Sequence, residues 1–477
     1  MQTTVTVTAT WTFIEPASPK VREDLCQLLD PLMSYKVDGA WFSPAYRTGQ
    51  WDGRKRLMRR LRDQRLAFPS GLADRALLIL RSRGVEFDIA YKAPSSPVAG
   101  PFSWGGPGLR DYQKEAVAAI LGRPGGILRM PIRSGKTLTA AKAIQESGLR
   151  AIFIVNSDLL VDQALGVFRA AIPAARVTEW SGSEHDDTGD IVVASIQSLL
   201  LQCDTRWFAK LIKSFGIAIV DEVHHFGATG EEWRQTVMAF ESRIKVGLSA
   251  TIEISERKAM ETDEIWMRAV CGPVVFSLET SDLIEQGHLV APTIRFLPHG
   301  AAGISSKAPY AEMYREGVTA SSERNGLIVD EAVKAARAGS RVLVDVVRLA
   351  HARALHRLLV NALGARKVNL LIGSTAKASR EKALARLRAG DAPVIVSTIL
   401  GEGIDIPELD VVINAGGGKS PKKTIQRMRN LTPSPGKTQA VVIELADVHS
   451  RTLADWTLAR LQTYSKERAF TVIPPGS

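Results

Sequence analysis

From Leu109 onward the chain repeats one pattern: a short apolar run, a polar break, then a longer segment with apolar positions three and four apart. Short apolar runs bounded by turn residues read as buried strands, and the longer spacing reads as amphipathic helix. The first series predicts strands at 127–130, 151–155, 191–194, 217–220 and 245–248. A second series begins near Thr293 and predicts strands at 341–346, 368–372, 393–397, 411–414 and 440–445. Strands alternating with helices make parallel α/β domains, so two of them are expected in tandem. The first hundred residues follow another rule. Alternation over 3–10 predicts a strand, and helical spacing after Ser18-Pro19 predicts a helix over 19–33. The expected organisation is a small α+β unit at 1–97, a Gly/Pro-rich linker at 98–108, and α/β domains at 109–290 and 291–477.

The 477 residues are 45% hydrophobic and 23% charged, the balance of a globular protein. No apolar run reaches the roughly eighteen residues a membrane span needs. The start, Met1-Gln-Thr-Thr-Val, has neither the basic nor the apolar stretch of a secretion signal. Three scattered cysteines (Cys26, Cys203, Cys271) offer no metal-ligand spacing and no disulfide framework. A cytoplasmic location is expected from these features. The net charge of +11 favours a polyanionic partner. Its densest run holds Arg47, Arg54, Lys55, Arg56, Arg59, Arg60, Arg62 and Arg65 against Asp52 and Asp63, with Trp41, Tyr46 and Trp51 nearby. Arg54, Arg56, Arg59 and Arg60 are therefore candidates for duplex or junction DNA binding, although a solvated face explains most charge runs.

The candidate chemistry lies at strand ends. The predicted strand 127–130 runs into Pro131-Ile-Arg-Ser134-Gly135-Lys136-Thr137, the tail of a phosphate-binding loop. Gly135 lets backbone amides approach phosphates, Lys136 reaches β/γ oxygens, and Thr137 can ligate Mg2+. Ser134 belongs to the same cradle. A lone Gly-Lys-Thr is common by chance, and Met130 occupies the position of the usual first glycine. The apolar run 217–220 ends in Asp221-Glu222-Val-His224-His225, two carboxylates at the end of a buried strand. Such a pair calls for a cation, so Asp221 is the candidate Mg2+ ligand and Glu222 the group that orients or deprotonates water. His224 is a candidate coupling residue, and His225 reads as a partly exposed loop histidine. Ser249-Ala-Thr251 follows the last strand of the series and reads as a link from the nucleotide to the second domain. Upstream, Gln113 could read adenine, with Arg110 or Tyr112 stacking nearby.

In this order the motifs resemble those of the superfamily-two helicases and translocases, over residues 109 to about 470. Ile372-Gly-Ser-Thr, Arg380-Glu and Val396-Ser397-Thr398-Ile-Leu-Gly-Glu-Gly403-Ile-Asp405 look like that superfamily's later motifs. The resemblance implies two tandem RecA-like lobes, ATP and Mg2+ as cofactors, and a cycle in which ATP bridges the lobes. It implies backbone contacts to nucleic acid through Ser397 and Thr398, with Gly403 and Asp405 at the nucleotide. In the first lobe the matching strand-end candidates for DNA are Asn156, Ser195 and Gln197, with helix capping a second, compatible role for Ser195. Three features are similar to the UvsW-type bacteriophage helicases of recombination and repair. They are Asp38-Gly…Phe42-Ser-Pro…Gly49-Gln-Trp51-Asp52-Gly53-Arg-Lys-Arg-Leu, the Met130-Pro131 start of the phosphate loop, and a C-terminal helix with Arg460, Tyr464, Glu467 and Phe470.

One departure stands out. The family's last motif, Gln-x-x-Gly-Arg-x-x-Arg, meets Gln426-Arg427-Met428-Arg429-Asn430-Leu431-Thr432-Pro433 here. The expected arginines fall on Asn430 and Pro433, so Arg429 is the preferred finger beside Gln426, with Arg427 the alternative. A finger supplies about three to five orders of magnitude in phosphoryl-transfer rate. The expectation is therefore an ATP-dependent helicase or translocase on branched or duplex DNA. An ATP-gated DNA-binding protein with weak unwinding and an RNA helicase are the alternatives. Single-strand-binding or recombination proteins are candidate partners, and a monomer is expected.

Overall fold

A computed structural model describes residues 2–476 apart from 38, 95, 183, 227–229, 251–261, 300–303, 305–307, 400–405, 427, 429, 435, 436, 438 and 449. The side chains of 158, 159, 226, 262, 377, 422, 423 and 426 also lie outside the description. The chain divides into two compact units, Met1–Ser277 and Leu278–Ser477.

The first unit opens with strands β1 (Thr3–Val7) and β2 (Trp11–Glu15). The predicted strand over 3–10 stops at Val7 because Thr8 Oγ1 donates to the Trp11 carbonyl and turns the chain. The predicted helix over 19–33 is Pro19–Leu29 followed by a tighter turn at Asp30–Leu32. Pro31 has no amide to continue the α ladder, which explains the change. Strands β3 (Ser34–Lys36) and β4 (Arg54–Arg56) form a separate antiparallel ribbon. Strands β5 (Arg59–Arg60), β6 (Leu66–Pro69) and β7 (Phe87–Tyr91) complete a five-stranded sheet in the order β5-β6-β2-β1-β7.

The same unit continues with β8 (Gly125–Arg129), β9 (Ala151–Val155), β10 (Val177–Ser181), β11 (Glu184–His185), β12 (Ile191–Ser195), β13 (Ile217–Val220), β14 (Ile244–Ser249) and β15 (Val274–Ser277). They form one sheet in the order β11-β10-β12-β9-β13-β14-β8-β15, parallel except for β11. All five strands predicted for this lobe are present. The interior strands β9, β12 and β13 are buried along their whole length, so near-continuous apolar runs made them visible. Strands β10 and β15, like the two-residue β11, were not foreseen. Glu179 and Thr178 interrupt the first, and the second is a four-residue edge strand with three half-buried positions.

The passage over 98–108 packs along this lobe. Gln145 Nε2 donates to the Phe102 carbonyl, and Lys142 lies 5.0 Å from the Trp104 ring. Helix Thr262–Cys271 serves two cores at once: Ile265 and Ala269 join the N-terminal core, while Met267, Val270 and Cys271 join the lobe core. Gly71 seats against it, since a Cβ there would lie 2.0 Å from the Arg268 carbonyl. The N-terminal sheet is thus built onto the lobe.

The second unit holds β16 (Pro292–Pro298), β17 (Val342–Asp345), β18 (Val368–Leu371), β19 (Val394–Ser397), β20 (Val411–Asn414), β21 (Ala440–Ala446) and β22 (Thr471–Ile473). The sheet is wholly parallel, in the order β18-β19-β17-β20-β21-β16-β22. Its core runs from Val342, Val344, Val394 and Val396 to Ile413 and Ile443. Each unit therefore carries a parallel α/β sheet, the expected fold class, with a smaller α+β part ahead of the first.

Candidate functional site

In a parallel sheet all carboxyl ends lie on one edge, and that edge is where ligands bind. β8, β14 and β13 are consecutive neighbours, so the phosphate loop, Ser249 and Asp221 leave the sheet side by side. The Met130 amide donates to the Ser249 carbonyl at 2.9 Å, tying the loop to the middle strand.

Gly135 begins helix Lys136–Ser147 with a left-handed φ of +78°, and Arg133 takes +69° two residues earlier. A Cβ on Gly135 would lie 2.4 Å from Gln113 Nε2, so only glycine fits. Ser134 is buried, with its Oγ donating to the Pro131 carbonyl at 2.7 Å. Its own carbonyl accepts from Tyr112 Oη and Gln113 Nε2, both at 2.9 Å. Gln113 Oε1 accepts the Arg110 amide at 3.0 Å. The Gln113 amide that was matched to adenine is thus bonded at both ends within the chain and braces the loop; an adenine contact would have to exchange these bonds. Arg110 lies against Tyr112, its guanidinium donating to the phenol oxygen at 2.9 Å.

Lys136 Nζ donates to the Met130 carbonyl at 3.5 Å and faces Glu222 Oε1 at 4.0 Å. Glu222 has a left-handed φ of +49°, uncommon for any residue but glycine. Its Oε2 lies 3.2 Å from His224 Nδ1, which also shares a 2.9 Å hydrogen bond with Ser249 Oγ. Burial and the adjacent Glu222 charge push the Asp221 carboxyl up, against the pull of Lys136. Burial works to raise Glu222 too, but Lys136 and the His224 hydrogen bond outweigh it and hold its carboxyl low. Two carboxylates facing one lysine leave room for further positive charge. Thr137 follows Lys136 at the helix start, half-buried. Among the described residues no cluster of three His, Cys, Asp or Glu could hold a metal unaided, so Mg2+ here would depend on phosphate oxygens as well. His225 is half-buried, its ring 4.5 Å from that of His224.

The candidates for nucleic acid fare unequally. Asn156 and Gln197 sit together beyond β9 and β12, with Gln197 Nε2 donating to the Asn156 carbonyl at 2.7 Å. Ser195 requires a correction: it is fully buried and its Oγ caps helix Ile196–Leu200 by accepting the Ser198 amide. Ser397 is corrected likewise, being fully buried with Oγ accepting the Ile399 amide at 3.0 Å. Thr398 beside it is half-buried. In the basic run, Arg54 is held by Ser34, Arg56 by Asp30 and Asp52, and Arg60 by Glu23 through two 2.9 Å bonds. Much of its charge is therefore paired inside the chain. Arg59 has no carboxylate partner among the described residues; its guanidinium lies 5.1 Å from the Trp11 ring and lines a cavity of about 530 Å³ with Arg234 and Trp266.

In the second unit Gly403, Asp405 and Arg429 lie outside the described residues, as does Thr251 in the first; so does the Gln426 side chain. Asn430, where the family places an arginine, is fully buried and donates to the Asp410 and Val441 carbonyls, both at 2.8 Å. It staples the backbone leading into β20 to that of β21. One buried device leaves almost no signal in the sequence. Arg324 donates to the Ala415 carbonyl at 2.7 Å, Tyr314 to Gly416 at 2.8 Å and Arg460 to Gly418 at 2.8 Å. Asp447 lies between the two guanidiniums, 2.6 Å from Arg324 and 3.5 Å from Arg460. These buried groups hold the loop that enters helix Pro421–Gln426. They are far apart in sequence, and only the matched Arg460 gave any signal.

Residues 107–254 match the model of the type III restriction enzyme res subunit, and residues 327–429 match the helicase conserved C-terminal domain. The chain is 24% identical to the ATP-dependent DNA helicase uvsW of Enterobacteria phage T4, over 92% of this chain and 93% of that protein. It is 23% identical to a putative DNA 3'-5' helicase, Rad25, of Haloarcula marismortui, over 70% of this chain but only 52% of that longer relative. Among solved structures, a fragment of a putative HsdR subunit of a type I restriction enzyme from Vibrio vulnificus shares the fold at TM-score 0.55 and 16% identity, over 76% of this chain and 67% of the fragment. The phosphate loop and the acidic strand end fall inside one of these matches and the later motifs inside the other. The chain belongs to the superfamily-two helicases and translocases.

Proposed function

We propose that the protein is an ATP hydrolase that couples turnover to movement on DNA, acting on branched or duplex substrates in recombination, repair or replication. The observation that carries this reading is the chain of contacts Lys136–Glu222–His224–Ser249, which joins the phosphate loop to two neighbouring strand ends. ATP, when bound, supplies the phosphoryl bond to be broken. Lys136 and the amides after Gly135 would bind its phosphates, and Thr137 with Asp221 would hold Mg2+. Glu222, kept ionised by Lys136 and His224, would orient the attacking water and take its proton. His224 reports the state of that carboxylate to Ser249, and through β14 to the rest of the lobe. Arg429, or Arg427, remains the candidate finger, because Asn430 is committed to backbone carbonyls. Asn156, Gln197 and Thr398 would grip the DNA backbone without reading bases. The T4 relative's name as an ATP-dependent DNA helicase, and the haloarchaeal one's as a putative DNA 3'-5' helicase, support DNA over RNA.

The test is ATPase activity of the parent, Lys136→Ala, Arg427→Ala and Arg429→Ala with single-stranded, duplex and forked DNA. DNA-stimulated turnover in the parent and none in Lys136→Ala is expected, with one of the two arginine variants losing at least a hundredfold. DNA-stimulated turnover in Lys136→Ala would overturn the site.

A further inference from the structure

Trp41 and Phe42 leave 54% and 70% of their surface exposed, side by side with ring centroids 5.6 Å apart. Single exposed apolar residues are ordinary; an adjacent aromatic pair on a braced turn is not. The turn Ala40–Phe42 is held from several directions. Gly39 takes a left-handed φ of +73°, and its carbonyl accepts the Phe42 amide at 2.9 Å. The Val37 amide donates to the Gly53 carbonyl at 2.8 Å, and Ala40 is buried. Arg47 donates to the carbonyls of both aromatics, at 3.1 and 3.2 Å, which sets a guanidinium beside the rings. A fixed backbone presenting two rings outward is preorganised for binding. Trp51 nearby differs: it is half-buried and its Nε1 donates to the Arg54 carbonyl at 2.8 Å.

The surroundings select the occupant. The turn follows β3, whose last residue, Lys36, is exposed; on the paired strand β4, Arg56 is answered by Asp30 and Asp52 and Lys55 by Glu231, so Lys36 and Arg47 are the cations left near the rings. Aromatic faces among cations match a nucleic-acid strand, with bases stacking on rings and phosphates meeting the charges. Paired bases inside a duplex offer no free face, whereas a junction or a duplex end does. We propose that Trp41 and Phe42 form a wedge that stacks on the exposed base at a single-strand/duplex junction, with Arg47 and Lys36 on the flanking phosphates. This rests on the DNA reading above and gives it a structural preference: the first unit recognises branch points through ring stacking, in addition to charge.

The test uses the full chain and a fork carrying 2-aminopurine at the junction. The parent should change the probe's fluorescence on binding, and Trp41→Ala/Phe42→Ala should not. The double variant should bind the fork about tenfold more weakly, while its affinity for closed circular duplex stays at the parental level. Phe42→Trp should keep fork binding. Both rings are exposed, so the variants should unfold at the parental urea midpoint, which separates lost stacking from lost structure. Parental fork affinity in the double variant, or a silent probe in the parent, would overturn the wedge. An equal loss on fork and circular duplex would also overturn it, and a protein occupying the rings would leave DNA binding unchanged. Absence of DNA-stimulated ATPase in the parent would instead remove the underlying reading, so the two failures are distinguishable.

Discussion

Replacing Asp447 by asparagine keeps the side chain's shape and removes one charge from a place where little can compensate. The carboxylate is 1% exposed and lies 2.6 Å from Arg324 Nε, 3.3 Å from His299 Nε2 and 3.5 Å from an Arg460 amino group. Glu444 still serves Arg460 at 2.7 Å. Arg324, fully buried, has no other carboxylate among the described residues. Breaking one side of a buried pair costs about 3–5 kcal/mol, because the stranded charge keeps its desolvation penalty. Against a domain stability of roughly 5–15 kcal/mol that is a large fraction. The affected carbonyls belong to the loop entering helix Pro421–Gln426, so turnover should fall along with stability. Hydrogen exchange read on peptides spanning β20 and β21 is the suitable assay, since it isolates the second unit from the larger first one. Faster exchange by about two to four orders of magnitude is expected in Asp447→Asn. Asp447→Leu with Arg324→Met should recover part of the loss, because an apolar replacement of the whole pair strands no charge. Parental exchange rates in Asp447→Asn would refute the reasoning and leave the cluster without an energetic role. The pH sign is also defined. Burial acts to raise Asp447, but Arg324, His299 and Arg460 hold it far below the usual carboxylate range. Its contribution is therefore complete above the unfolded value of about 3.9 and is lost only on further acidification.

Other outcomes follow from single contacts. His351, buried against Asn325 at 2.8 Å, is lowered by burial and by Arg324 to about 4 from 6.5. The neutral form is favoured in the fold, so the second unit should lose roughly 3 kcal/mol as pH falls from 6.5 to 4. His351→Gln should flatten that slope in urea titrations followed by hydrogen exchange. Gly135→Ala sets a Cβ 2.4 Å from Gln113 Nε2 at a φ of +78°. It should cost about 1–3 kcal/mol and weaken nucleotide binding by calorimetry, and adding Gln113→Ala should relieve the clash while leaving the backbone strain. His224→Ala removes the contact between Glu222 and Ser249. Nucleotide binding should persist while DNA stimulation of the ATPase is lost; intact stimulation would show that the coupling runs elsewhere.

The sequence by itself determined two tandem series of buried strands and the candidate residues at their ends. Strands buried on both faces are written as unbroken apolar runs, so β9, β13 and β20 were legible end to end and β12 and β17 to within a residue at their ends. Gly135-Lys136-Thr137 and Asp221-Glu222 stood out as candidates because phosphate and cation chemistry restricts residue type at fixed spacing, and the fold sets both at neighbouring strand ends. Edge strands such as β15 were not, since half-buried positions carry no period. What only the tertiary structure decided is which polar groups are already spent. Ser195 and Ser397 look like surface donors in one dimension and are buried caps in three. Asn430 looks like a damaged finger and is a staple between two strands. The arginine run looks like free charge, yet Arg56 and Arg60 are answered by Asp30, Asp52 and Glu23, two of them more than twenty residues away. Hydrogen bonds and ion pairs are satisfied by proximity in space, and a linear pattern reports a group's chemistry without reporting the partner that has already claimed it.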